Sequence, residues 1–319
     1  MRRLILVLAL CFPALGWGQA TPAKLTIVVF TPPSLGAFLP PVIKARKLDE
    51  QNGLDLNFVQ RTPDAYTTEF NSGEFELGGS AALLSVGIAR NRGVAATYLF
   101  NLFDYFGAVV TSNPAVQRLQ DLAGKQLAAA RGTTNFAMFD WFARRLGLDT
   151  TKVAVLNTAT PGLIGYAVAA RADAVQLWEP AYTELLLKKP DIRTLDLDIA
   201  KQWKSFAGTE SIPYLGVAAH ESWIKSNPGL IMPLFNTYKA AGDWVRGNAS
   251  AAAEIILPKG SPADRQAITH LIEHNDRLGM NVVMADKVAR EIEAVFNAGR
   301  SINYLEKSPG PAAVYAGSR

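Results

Sequence analysis

The sequence predicts an α/β protein of two lobes, on three observations. Short β-rich apolar runs alternate with helical stretches twice over, first from Leu25 to Phe100 and again from Phe106 to Leu195. That rhythm belongs to parallel sheets covered by helices. After about Ser211 the spacing of apolar residues becomes mostly helical, and such helices need a sheet to lie on. A chain of 319 residues is also long enough to divide into two domains. Sending the late helices back to the first lobe requires two chain crossings, placed near Phe106–Val110 and Phe206–Pro213. Residues 21–107 plus 211–305 then form lobe one and 108–210 form lobe two. The tail 306–319, rich in Gly, Pro and Ala, is expected to be loose.

The elements follow in order. Leu25–Phe30 reads as a strand broken by Thr31-Pro32-Pro33-Ser34. A helix over Phe38–Leu48 ends near Asn52-Gly53, and Leu54–Val59 alternates apolar and polar residues like a strand. Thr62–Asn71 is helical with Pro63 near its start. Phe75–Gly78 is a strand, Ser80–Ala89 an apolar helix and Ala95–Phe100 a strand. The second half gives strands at Phe106–Thr111, Gln126–Ala130, Lys152–Leu156, Ala174–Leu177 and Ile192–Leu195. Its helices are Asn135–Leu146, stopped by Gly147, then Leu163–Ala170 and Ala181–Leu187. Helical spacing then runs through Glu221–Lys225, Leu230–Gly247, Ala249–Ile256, Pro262–Asp276 and Asp286–Ala298.

The N-terminus has the pattern of a secretory signal. Arg2 and Arg3 precede the apolar run Leu4–Leu15, and Gly18 and Ala20 place small residues before a cut after Ala20. The run is too short for a spanning helix, which needs about 20 apolar residues. Cleavage removes Cys11, the only cysteine, and with it any disulfide, thiolate metal site or cysteine nucleophile. It also removes two of the arginines behind the net charge of +4, leaving +2. So small a bias gives no argument for a nucleic-acid or membrane surface.

Ligands of open α/β sheets bind beyond the carboxyl ends of strands, where helix N-termini present free N–H groups. Several such turns stand out. Thr31 to Ser34 follows the first strand. Gly78-Gly79-Ser80-Ala81 combines small residues that let backbone approach a ligand. Arg131-Gly132-Thr133-Thr134-Asn135 puts a cation, a glycine and hydrogen-bonding side chains before a helix, and Arg suits carboxylate, sulfonate or phosphate. Trp178-Glu179 offers a stacking face and an acceptor. Asn101 and Tyr214 lie near the two crossings. Each of these has a plainer reading as a helix cap or as hinge packing. His270-Leu271-Ile272-Glu273-His274 matches the H-x-x-E-H pattern of some zinc peptidases, with Glu291 and Glu293 as the nearest third ligands, but lacks the context that motif requires. No G-x-S-x-G elbow and no phosphate-binding G-x-x-x-x-G-K-[ST] loop occurs.

Taken together, several stretches resemble the nitrate, sulfonate and taurine group of periplasmic binding proteins, the one related to thiamine-pyrimidine binders. They are Thr62 to Ala65, Phe70 to Gly78, Leu119 to Lys125, Arg131 to Thr134 and Ala172 to Pro180. The resemblance runs from Leu25 to about Ala298. It implies a two-lobed periplasmic binding protein of type II, with two parallel-sheet lobes, two crossover hinge strands and a helical C-terminal part on lobe one. It implies a monomer that closes on a small molecule and hands it to the permease and ATPase of an ABC importer, without cofactor, metal or nucleic acid. The implied ligand residues are Thr31, Ser34, Ser80, Ala81, Gly132, Thr133, Thr134, Trp178 and Glu179. Arg131, Asn135, Asn101 and Tyr214 join them on position alone. A small organic anion is the expected solute. The alternatives are an exported sensory protein for a pyrimidine, flavin or aromatic ligand, and a zinc hydrolase using His270, Glu273 and His274. The related pyrimidine synthases depend on a cysteine-rich segment that this chain lacks.

Overall fold

A computed structural model describes residues 21–159 and 162–317. The expected leader, residues 1–20, lies outside the described residues. Among those residues the strands are β1 (Ala23–Phe30), β2 (Leu54–Arg61), β3 (Leu77–Ala82), β4 (Ala96–Asp104), β5 (Ala108–Thr111), β6 (Gln126–Ala129), β7 (Ala154–Asn157), β8 (Ala174–Leu177), β9 (Arg193–Leu195), β10 (Pro213–His220) and β11 (Met280–Met284). They form two sheets, ordered β11-β4-β10-β3-β1-β2 and β7-β6-β8-β5-β9. The β-branched run Ile27-Val28-Val29 is fully buried, as expected of a strand covered on both faces.

Both sheets are mixed rather than purely parallel. β2 and β3 run parallel to β1, and β7 and β8 run parallel to β6. The crossings supply the antiparallel members. β4 leaves the first sheet, β10 returns beside it in the opposite direction, and β5 enters the second sheet antiparallel to β8. A chain that leaves and re-enters through neighbouring strands cannot keep one direction throughout. Outgoing and incoming strands therefore lie side by side.

The C-terminal part departs from its helical reading in two places. Met280–Met284 is an edge strand on β4, burying Met280, Val282 and Met284 in alternation. The tail is packed as far as Tyr315 rather than loose. Leu305 and Ala313 are buried, the Thr97 hydroxyl donates to the Ala312 carbonyl at 2.8 Å, and the Tyr315 amide donates to the Tyr98 carbonyl at 2.9 Å. A helix at Ile199–Ala207, which the sequence reading passes over, buries Trp203 against Trp141 and Phe206.

The crossing itself is tied by a buried hydrogen-bond network. The Asn101 Oδ1 accepts from the Tyr98 hydroxyl (2.8 Å) and the Tyr214 amide (3.3 Å), while its Nδ2 donates to Asp104 Oδ1 and to the Asn281 carbonyl, each at 2.9 Å. Asp104 Oδ2 accepts from the Ser211 hydroxyl (2.7 Å) and Asn281 Nδ2 (3.1 Å). Burial pushes the Asp104 carboxyl up, against the pull of these donors. Asn101 thus joins β4, β10 and β11 with no bonding capacity left for a ligand, which corrects its reading as a candidate contact. Asn101→Ala would strand four buried groups and is expected to cost roughly 3 kcal/mol in denaturant unfolding; a loss below about 0.5 kcal/mol, the size of an ordinary surface change, would contradict this role.

Asp49 fastens the first lobe's outer corner. Its side chain is fully buried, with Lys44 Nζ at 2.6 Å and the Leu56 amide donating at 3.0 Å. Burial works to raise its pKa, but Lys44 and the Leu56 amide outweigh it, and the group titrates below its ordinary 3.8. A carboxylate so depressed stabilises the fold above pH 3.8 and loses that contribution as pH falls through the folded value. Asp49→Asn is therefore expected to lower the midpoint of unfolding at pH 7, with the gap to wild type narrowing as pH drops below about 4.

Candidate functional site

The order of the strands sets up the candidate site. β3 and β1 are neighbours in the first sheet, and β6 and β8 are neighbours in the second. Open α/β sheets bind ligands at the loops that follow such strands.

The flank from β3 to β6 is held by polar contacts. Thr133 caps the helix Thr134–Arg145, its side chain accepting from the Phe136 amide at 3.2 Å. Thr134 Oγ1 lies 3.4 Å from Ser85 Oγ of the other lobe. The Tyr304 hydroxyl donates to the Gly132 carbonyl at 3.2 Å. Asn135 is buried, with its Nδ2 donating to the Tyr214 hydroxyl at 2.6 Å and its Oδ1 without a protein partner. Arg131 is exposed; its amide donates to Asn157 Oδ1 at 2.9 Å, and its guanidinium has no bond or ion pair among the described residues. The first turn of the helix carries no acidic residue, so nothing there competes with an incoming anion for the helix N-terminus.

The flank from β1 to β8 is held by charge. Glu179 is buried. Its Oε2 accepts from the Thr183 amide at 3.0 Å, and its Oε1 accepts from the Thr183 hydroxyl at 2.9 Å and from Arg277 Nε and Nη2 at 3.0 and 2.7 Å. Arg277 belongs to the C-terminal part, on the first sheet's side, and lies over the Tyr182 ring at 4.9 Å. The cation that bridges the lobes is thus Arg277, and Arg131 makes no such pair. Burial pushes the Glu179 carboxyl up, and Arg277 and Thr183 pull against it. Beside this pair lies a cavity of about 290 Å³ between Pro32-Pro33-Ser34, Phe38, Pro180 and the residues around Leu257 and Ile268.

The remaining candidates divide by location. Ser80 does not open a helix. It sits fully buried within β3, accepting from the Phe30 amide at 2.9 Å, and the helix starts at Leu83. Ala81 pairs with Gly216 of β10 and is likewise buried. The glycines before them answer to packing: a Cβ on Gly78 would stand 2.2 Å from the Tyr66 hydroxyl, and one on Gly79 2.8 Å from the Tyr238 hydroxyl. Ser34 caps the short turn after β1, accepting from the Gly36 amide at 3.1 Å. Thr31 is half-buried beside it. Tyr214 is buried and packs edge-on against Tyr105 at 6.0 Å. Trp178 is half-buried and packs against the apolar cluster of the second sheet. His270 and His274 are exposed at the end of the helix Pro262–Glu273, rings 4.0 Å apart, with His274 Nδ1 2.8 Å from the His270 carbonyl. Among the described residues no group of three or more His, Cys, Asp or Glu side chains is placed to hold a metal ion.

The profile of the NMT1/THI5-like family matches residues 49–252. The chain belongs to that family. Solved structures agree with this family membership in fold. The periplasmic aliphatic sulphonate binding protein SsuA from Escherichia coli is 17% identical over 90% of this chain and 95% of its own, with a TM-score of 0.70. The alkanesulfonate-binding protein SsuA from Xanthomonas axonopodis pv. citri, bound to MOPS, is 16% identical over 93% and 99%, with a TM-score of 0.74. The Candida albicans CA3427 product, described as having the generic periplasmic binding protein fold, is 13% identical over 93% and 97%, with a TM-score of 0.67. At these identities the likeness is one of fold. The comparison with curated proteins returned no match.

Four residues of this NMT1/THI5-like chain, three of them in contacts between the lobes, escaped the sequence reading. Arg277 was hidden because its partner lies 98 positions away, and Ser85 and Tyr304 because their contacts form only when the lobes meet. Gln176 did leave a signal, as a polar residue inside the apolar strand Ala-Val-Gln-Leu. It is fully buried with neither end of its amide bonded to protein. The Glu179–Arg277 bridge makes a direct prediction. Arg277→Met leaves a buried carboxylate unpaired and is expected to cost roughly 3 kcal/mol. Glu179→Gln combined with Arg277→Met is expected to cost clearly less than the sum of the two single changes in a denaturant-unfolding cycle. Additive losses would show that the two side chains are not coupled.

Proposed function

We propose that this protein is the periplasmic solute-binding component of an ABC importer, exported with residues 1–20 removed and capturing a small organic anion between its lobes. Residues 21–107 plus 211–305 and residues 108–210 act as the two moving bodies, hinged at the paired strands β4 and β10. No described helix is long and apolar enough to cross a membrane. What supports the reading is the turn after β6, where the Arg131 guanidinium has no bond or ion pair among the described residues and the 12-residue helix that follows carries no acidic residue in its first turn. A carboxylate or sulfonate placed there meets a cation and helix N–H groups together. Thr134 and Ser85, already in contact from opposite lobes, would close over it. Ligand binding would then favour the closed arrangement only by its extra affinity for it, and the permease and ATPase would read the closed outer faces.

Calorimetry of the mature protein against carboxylates, sulfonates, nitrate, bicarbonate and neutral pyrimidines tests this. A saturable response is expected from an organic anion, weakened by Arg131→Ala by roughly tenfold or more, the usual worth of one hydrogen bond to a charged group. Unchanged affinity in Arg131→Ala would remove Arg131 from the site, and tight binding confined to neutral pyrimidines would contradict the anion reading.

A further inference from the structure

Resting on the reading of two moving lobes, we infer that the Glu179–Arg277 pair is the latch of a one-sided gate. The lobes part between the helix Ala181–Lys188 and the helix Pro262–Glu273, while the helix Thr134–Arg145 stays seated on lobe one. The two flanks are built differently. On the flank of Thr134–Arg145, Ala137, Trp141 and Phe142 belong to the same buried cluster as Val295 and Phe296 of the helix Ala289–Ser301. Parting there would bring shared hydrocarbon into water, which is unfavourable. On the other flank, Tyr182 and Leu185 belong to a separate cluster whose members all lie between Phe106 and Ile192. No apolar core is shared across that flank, and the cavity of about 290 Å³ lies there, with Glu184 and Lys188 on one side and Asp264 and Ile268 on the other.

What crosses the second flank is polar. Arg277 Nε and Nη2 donate to Glu179 Oε1 at 3.0 and 2.7 Å, and Nη2 also donates to the Thr183 hydroxyl. With the Thr183 amide and hydroxyl, four donors fill the acceptor capacity of the carboxylate. Glu179 is therefore a positioning residue, with no oxygen to spare for a solute. Leu278, next to Arg277, is buried in the first lobe's cluster, so Arg277 moves with lobe one. Ser261 holds the Asp264 carboxyl below its usual range, with a smaller pull from Lys188 across the flank. In the closed arrangement an unpaired Glu179 would be a buried, uncompensated charge. Opening would return it to water. Removing Arg277 thus drives the gate open, without any solute.

The test uses two pairs of spin labels in a protein of residues 21–319, which contain no cysteine. One pair, at Leu187 and Gln266, spans the gate; the other, at Arg144 and Asn297, spans the opposite flank. All four positions are exposed. Without solute, the wild type is expected to show a short-distance population at the gate pair. Arg277→Met is expected to shift the ratio of long to short distances there by about a hundredfold, with the opposite pair unchanged. Glu179→Gln combined with Arg277→Met, which buries no unpaired charge, shifts it in the same direction by less and serves if the single variant does not fold. A wild type with no short population at the gate, or variants with an unshifted distribution, overturns the latch. Lengthening of both pairs together overturns the one-sided gate and leaves two moving lobes standing. Calorimetry reads solute binding separately: a protein that takes no solute loses the binding reading, while the distances still decide the gate.

Discussion

Asn101 spends all its hydrogen-bonding capacity inside the protein, and the architecture depends on that. It ties the outgoing strand β4 to the returning strand β10 and to β11, and through Asp104 it reaches Ser211 at the second crossing. A buried amide of this kind is costly to leave unsatisfied and so tolerates few alternative arrangements. With the crossings side by side, residues about 150 positions apart in sequence, Pro33 and Pro180 among them, come to line one cavity.

The lobes meet through polar bridges and through apolar packing, since Ala137, Met138, Trp141, Phe142 and Trp203 belong to the same buried cluster as the first sheet. Ser85 with Thr134, Tyr304 with the Gly132 carbonyl, and Arg277 with Glu179 hold the two flanks. Near the hinge the contact is apolar: Tyr105 stacks on Phe142 with ring centroids 5.9 Å apart, and Trp141 meets Trp203. That division suits a hinged molecule. In the proposed closure the aromatic cluster would stay packed while the polar bridges break and reform. Because each polar bridge can exchange with water at modest net cost, a solute of ordinary affinity would be enough to bias the proposed balance between open and closed.

Much of this was legible from local pattern. The two α/β rhythms rest on signals spanning a few residues, and two sheets carry them; the turn before the helix Thr134–Arg145, which the sequence offers as a ligand site or a plain cap, has Thr133 as its cap. The misreadings have a common physical origin. Ser80 looks like a helix opener because small residues precede an apolar run, yet Tyr66 and Tyr238 press on Gly78 and Gly79 and keep that stretch extended between β1 and β10. Asn101 reads as a ligand contact because it lies near the first crossing, and only the tertiary network shows its partners. Met280–Met284 is too short to declare itself against the helical background, and its pairing with β4 decides it. The sequence offers Glu179 as an acceptor beside Trp178; the structure pairs it with Arg277, a partner that spacing cannot find. Local sequence specifies elements and their ends; side-chain partnerships across the lobes belong to the assembled fold.

The central claim is that the lobes move together when a solute binds. Residues 21–319 contain no cysteine, so in a protein of those residues a pair of cysteines at the exposed positions Thr68 and Arg171, one on each lobe, can carry spin labels without interference. Distance distributions would be recorded with and without a solute that calorimetry shows to be bound. The account predicts a broad or longer distribution without solute that collapses to a single shorter distance at saturation. The same distribution in both conditions, with the solute demonstrably bound, would contradict it.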